Sequence, residues 1–143
     1  MDRKSFVRAL AALLITCWIV SLLLPALPAS DAPGLAPGWV VIIFGWLAAF
    51  SYQFGWFANF FIVGCTAWML IVGEGIPSRR LMHLLLTPFA LLMANAAIGY
   101  PFEHLFWVGS DVGPGFFAWF VSGFGTLIAM VVSSAHLQAR SDD

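Results

Sequence analysis

The chain has 143 residues, 62% of them hydrophobic and 9% charged, with a formal net charge of −1. A soluble domain carries about 25% charged residues, so this composition, with a mean hydropathy of +0.94, excludes a water-exposed surface and points to an all-α integral membrane protein. Six basic residues balanced by seven acidic ones also exclude the large phosphate-neutralising patch that nucleic-acid binding requires.

Spanning helices need ~20 apolar residues each, so residues 1–143 have room for a single membrane domain of four or five spans. The first predicted span covers about residues 6–27, behind the basic residues Arg3, Lys4 and Arg8. Its apolar run is longer than the ~7–15 residues of a signal-peptide core. No clean small-x-small cleavage site follows, so an uncleaved signal anchor is expected. Pro25 and Pro28 end it, because proline lacks the backbone donor and clashes with the preceding turn. The linker that follows, PASDAPGLAPG, is rich in turn formers and has no Lys or Arg.

From Trp39 to Gly73 there is no charge at all. As one helix this stretch would be ~50 Å long, against a hydrocarbon core of ~30 Å. It therefore divides. Residues 54–73 form the second predicted span, and residues 39–53 an interfacial or re-entrant helix on the outer side. Trp39 and Trp46 share a face of that helix and anchor it at headgroup level. The alternative is a tight helical hairpin that makes a fifth span. The third span covers residues 81–99, with a kink expected at Thr87-Pro88. The fourth covers 115–134, and 135–143 form a short tail.

Charge placement favours four spans. Cytoplasmic flanks are enriched in Lys and Arg, and four spans put Arg3, Lys4, Arg8, Arg79, Arg80 and Arg140 on one side. The other side holds Asp31, Glu103, His104 and Asp111. The expected location is a bacterial cytoplasmic membrane with both termini inside.

Helices in lipid pack through small residues. Gly115, Ala118, Ser122, Gly125, Ala129 and Val132 make one such seam. Ala90, Ala94 and Ala97 make a second, and Ala9, Ala12 and Thr16 a third. Polar side chains inside spans are costly and therefore informative. Asn59 and Asn95 lie at similar depth near the outer ends of their spans, with Ser21 and Ser122 near that level. This polar layer is the candidate binding region, and a hydrogen bond between the two asparagines is expected to join their helices. The outer loop contributes Tyr100, Phe102, Phe106 and Trp107, which with Trp39 and Trp46 form a candidate aromatic recognition face.

No catalytic constellation is present: no spaced Ser, His and Asp, no paired intramembrane carboxylates and no glycine-rich phosphate loop. Ion pathways need ionisable groups at mid-membrane, and none occurs. His83 and His136 fall near the interface, a poor place for bis-histidine haem ligation, and Glu103-His104 make too few donors for a metal. Cys17 and Cys65 lie in separate apolar runs without metal spacing. No cofactor is expected. The expected role is non-catalytic: association with another membrane protein, as an accessory or assembly subunit or as an immunity-type protein against a membrane-targeting toxin. The rival is a membrane binder of lipid, quinone or haem.

Overall fold

The computed structural model describes residues 2–28, 35–51, 54–98 and 113–141. Helix α1 (Arg3–Leu23) leads into strand β1 (Pro25–Pro28), which pairs antiparallel with β2 (Leu35–Pro37). A short helix α2 (Gly38–Phe44) continues as a 3-10 helix over Gly45–Ser51. A 3-10 turn at Gly55–Phe57 then opens α3 (Ala58–Val72), followed by α4 (Arg79–Ile98) and α5 (Pro114–Ser141).

Four helical segments are long and apolar enough to cross a membrane: Arg3–Leu23, Gly55–Val72, Arg79–Ile98 and Pro114–Gln138. The fold is therefore a helical bundle of the kind that multi-pass membrane proteins form. The 38–51 segment breaks into two seven-residue pieces, together about 24 Å long at 1.5 and 2.0 Å per residue. That is short of the ~30 Å hydrocarbon core.

Local chemistry sets the boundaries. Asp2 caps α1, its carboxylate accepting from Ser5 N at 2.6 Å, and that bond holds the carboxyl below its ordinary pKa. The first helix ends sooner than the apolar run does. Leu24 precedes a proline, which disfavours helical geometry for the residue before it, and it turns extended (φ −90°, ψ 151°). The Pro-rich linker is in part a two-stranded ladder, with Pro25 opposite Pro37 and Pro28 opposite Leu35. Gly73 closes α3 in the left-handed region (φ 75°), a position that glycine takes without a Cβ penalty. Pro114 begins α5, where a missing N–H costs nothing. Pro88 lies inside α4, and the helix runs through it.

The helices alternate in direction. At one end Arg3 donates to Ser133 O and Arg8 to Ile71 O, each at 3.1 Å. Lys4 meets Glu74 at 3.3 Å, and Gln138 of α5 reaches Met82 of α4. The start of α1 and the last part of α5 thus share one end, which is called the basic end below. The Gly75 backbone lies directly on α5, where Ile76 N donates to Ser134 Oγ at 2.8 Å. The core runs between the ends through Val7, Ala11, Leu14, Ile62, Met69, Phe89, Met93 and Met130. Large apolar side chains such as Leu23, Phe60, Ile71, Leu84, Leu91 and Val121 point outward.

The small-residue seams differ in fate. Ser122, Gly125 and Ala129 of α5 face the interior, with Ser122 Oγ donating to Leu14 O at 2.8 Å and Gly125 against the Leu14 side chain. Ala90, Ala94 and Ala97 of α4 are half-buried, and Ala9, Ala12 and Thr16 of α1 are exposed.

Two glycines make opposite tests of this packing. A Cβ on Gly75 would overlap Ser134 N, whereas one on Gly64 would meet nothing within 4 Å. Gly75→Ala is expected to destabilise the protein by about 1–3 kcal/mol through overpacking. Gly64→Ala is expected to stabilise it by about 0.5–1 kcal/mol through reduced chain entropy. Thermal unfolding in detergent reads both, and Gly75→Ala melting no lower than the parent would contradict the close approach.

Candidate functional site

The end opposite the basic end is organised by one amide. Trp18 of α1 and Trp119 of α5 both donate their indole N–H to Asn59 Oδ1, each at 2.8 Å. Asn59 Nδ2 donates to Trp56 O at 2.6 Å. A side chain on the first turn of α3 therefore ties three helices together. The reason is chemical: a buried indole N–H needs an acceptor, and an amide oxygen has two lone pairs to offer. Asn59 is 8% exposed, so these bonds form in a low-dielectric setting, each worth ~0.6–2 kcal/mol by membrane precedent.

Asn95 does a different job. Its Oδ1 accepts from Phe54 N at 2.6 Å and Gly55 N at 3.0 Å. Those are backbone donors at the start of a helical turn, which have no partner within the helix itself. Asn95 thus fastens α4 to the entry of α3, and Gly55 lets the two backbones touch, since a Cβ there would fall 2.5 Å from Ala96 Cβ. The expected Asn59–Asn95 bond is replaced by these separate ties. Neither amide needs the other, because Asn59 is taken by indoles and Asn95 by backbone.

The two serines of the predicted layer also part company. Ser21 Oγ donates within its own helix to Trp18 O at 2.6 Å, whereas Ser122 Oγ crosses from α5 to α1 at Leu14, a turn further into the bundle. Ser21 and Asn59 line a common cleft and Asn95 and Ser122 do not. That cleft has a volume of 130 Å³, with Trp56, Phe116, Trp119, Val41 and Ile42 among its walls. Gly38, Gly45, Gly55 and Gly115 also line it. These glycines are where backbones meet. A Cβ on Gly38 would overlap Ser21 O, one on Gly115 would lie 2.7 Å from Leu24 O, and one on Gly45 would strike the Trp56 ring. Trp56 in turn donates its indole N–H to Ile42 O at 3.0 Å, near the end of α2.

Trp39 and Trp46, expected on an outer aromatic face, are 51% and 47% exposed. Tyr100, Phe102, Phe106 and Trp107, with Glu103 and His104, lie outside the described residues. His83 and His136 border different surface clefts. Among the described residues no three His, Cys, Asp or Glu gather as a metal set. Both Cys17 and Cys65 are free thiols.

The residues that sequence reasoning passed over are Trp18, Trp56 and Trp119. Tryptophans well inside an apolar run, at the depth of an asparagine, carry the signal: a buried donor and a buried acceptor at one level in the bundle.

Fold and site together define a multi-pass helical membrane protein whose interior is closed by an amide–indole cluster at one end. Compared with protein families, curated proteins and solved structures, the chain matches none.

Removing the acceptor should leave two indole donors stranded. Asn59→Leu is expected to cost about 1–3 kcal/mol per buried donor left unpaired. In a double-mutant cycle, Asn59→Leu and Trp18→Phe should be strongly non-additive, because contacting residues couple by about 0.5–3 kcal/mol. Asn59→Leu with Asn95→Leu should couple less. A larger coupling between the asparagines than between Asn59 and Trp18, read from detergent melting curves, would sink this assignment.

Proposed function

We propose that the protein is a non-catalytic subunit or immunity-type protein that acts by associating with a transmembrane helix of another membrane protein. The observation that carries this reading is the outward face of α1. Close helix packing in lipid uses small residues. The α5 seam places Ser122, Gly125 and Ala129 inside the bundle, while Ala9, Ala12 and Thr16 stand exposed in a row on α1. Thr16 keeps its hydroxyl on Ala12 O at 2.8 Å, so the face presents no unsatisfied polar group to a docking helix.

The orientation proposed is a bacterial cytoplasmic membrane with the basic end inside. Arg79 and Arg80 open α4, where positive charge opposes the helix dipole. Their position therefore gains nothing from the helix dipole, and retention on the cytoplasmic side accounts for it. The 38–51 segment then lies at the outer surface as an interfacial piece. Exposed Trp39 and Trp46 support that placement, since tryptophan is enriched at headgroup level.

Two experiments test the reading. Cysteines at Asp2 and Asp111, in a background with Cys17 and Cys65 replaced by Ala, should divide by side: Asp111→Cys labels in intact cells and Asp2→Cys only after permeabilisation. The reverse pattern would invert the orientation. For association, Ala12→Leu is expected to leave the melting temperature within about 2 °C of the parent, as exposed substitutions do. It should remove most of a stoichiometric membrane partner recovered from native membranes in mild detergent. Undiminished recovery with both Ala12→Leu and Thr16→Leu would exclude this face.

A further inference from the structure

We propose that the cleft beside Asn59 is a binding site for a one-ring apolar molecule bearing a carbonyl, a benzoquinone-type compound in chemical class, held by the amide N–H of Asn59.

A primary amide has two acceptor positions on oxygen and two N–H donors. Both acceptor positions of Asn59 are taken, by Trp18 and Trp119, and one donor goes to Trp56 O. Among the described residues the second N–H meets no acceptor. Asn59 is more than nine-tenths buried (8% exposed) and lines the cleft. A buried donor is costly to leave unpaired, so this site asks for one acceptor and no more.

The other side-chain polar groups at the wall are already engaged. Trp56 Nε1 donates to Ile42 O, Trp119 Nε1 to Asn59, and Ser21 Oγ to Trp18 O. What remains is apolar and aromatic, with the rings of Trp56, Trp119 and Phe116 around the space. Its 130 Å³ is close to the ~150 Å³ of an apolar cavity known to admit benzene. Size and lining therefore select a single ring.

Three occupants compete, and capacity decides between them. A buried water typically makes about three hydrogen bonds. Among the side chains that line the cleft it would find the Asn59 N–H and the spare lone pair of Ser21 Oγ. A bare hydrocarbon tail fills the space and leaves the N–H orphaned. A ring carbonyl fills it and accepts the one free donor. The indoles make the donor rigid: with its oxygen clamped from two sides, Asn59 cannot rotate its amide without breaking both contacts. That preorganisation lowers the ordering cost of binding.

The test uses two molecules of nearly the same shape, duroquinone and durene, which differ in the ring carbonyls. With the full-length protein in detergent, duroquinone should quench tryptophan emission saturably and raise the melting temperature. Durene should displace it about five-fold or more weakly than duroquinone itself binds, the loss expected for one hydrogen bond. Val41→Phe, or Ala26→Leu, fills the cleft from its wall and should abolish saturable quenching while the far-UV circular dichroism is unchanged. Equal affinity for durene and duroquinone overturns the role of the carbonyl. Absence of saturable quenching, or binding that survives both filling substitutions, overturns the site.

Discussion

Helices already in lipid gain little by burying apolar surface against one another, because lipid tails are as apolar as leucine. Something else must decide which helices meet and at what register. In this protein the decisive group is the Asn59 amide oxygen, which takes one indole N–H from α1 and one from α5. Each donor comes from a residue whose ring is also partly buried in the bundle. Sliding either helix by one residue would move its indole about 1.5 Å along the axis and 100° around it, and the bond would be lost. Much of what surrounds this point follows from it. With α1 and α5 held together, the carbonyls of Ser21, Leu24 and Pro25 come within contact distance of Gly38 and Gly115. Gly38 N and Gly113 N then find acceptors in Leu24 O and Ala26 O.

The two ends of the bundle are closed by different chemistry. At the basic end, guanidinium groups reach helix carbonyls: Arg8 to Ile71 O in the last turn of α3, and Arg3 to Ser133 O inside α5. The Ile71 carbonyl carries the negative pole of the helix dipole, so the Arg8 cation is well placed. The Lys4–Glu74 pair joins an exposed lysine to a half-buried glutamate at the surface and adds little, as surface ion pairs generally do. At the opposite end, among the described residues, the work falls to neutral donors and acceptors: three indoles, two primary amides and glycine backbone. A neutral network needs no counter-ion and can sit deep, which suits the end where the chain also folds back in the strand pair and the 3-10 turns. Both ends use glycine where the backbone must approach closely, Gly75 at one and Gly38, Gly55 and Gly115 at the other.

Much of the architecture was legible in the sequence because hydropathy and proline report on it directly. The four apolar runs became the four long helices, and the length argument against one helix from Trp39 to Gly73 matches the break at residues 45–57. The strand pair at residues 25–37 was not legible. Its ladder is made by prolines and small residues that read as a turn-rich linker, and pairing across a linker has no periodic signature. The polar layer was half legible. Asn59, Asn95, Ser21 and Ser122 were singled out by depth, but depth along a helix says nothing of azimuth. Which way each side chain faces depends on helix rotation, and that is set by tertiary contacts. Hence the two asparagines, level with each other, turn to different partners. Of the α5 seam, Ser122, Gly125 and Ala129 pack inside while Val132 is exposed, and the small residues of α1 remain outside; composition alone cannot tell these apart.

The contrast between interior and exterior bears on what such a bundle can do. Inside, among the described residues, the polar side chains that join helices are engaged in bonds between or within helices, with Thr126 Oγ1 left without a partner. A change of register would break the Trp18 and Trp119 contacts together, so the indoles and the amide fix these helices against one another. The same rigidity shapes the cleft beside Asn59, since its walls are backbone and aromatic rings held by the bonds that hold the helices. The packing of the bundle at this end and the form of the cleft thus trace to one cluster of neutral hydrogen bonds.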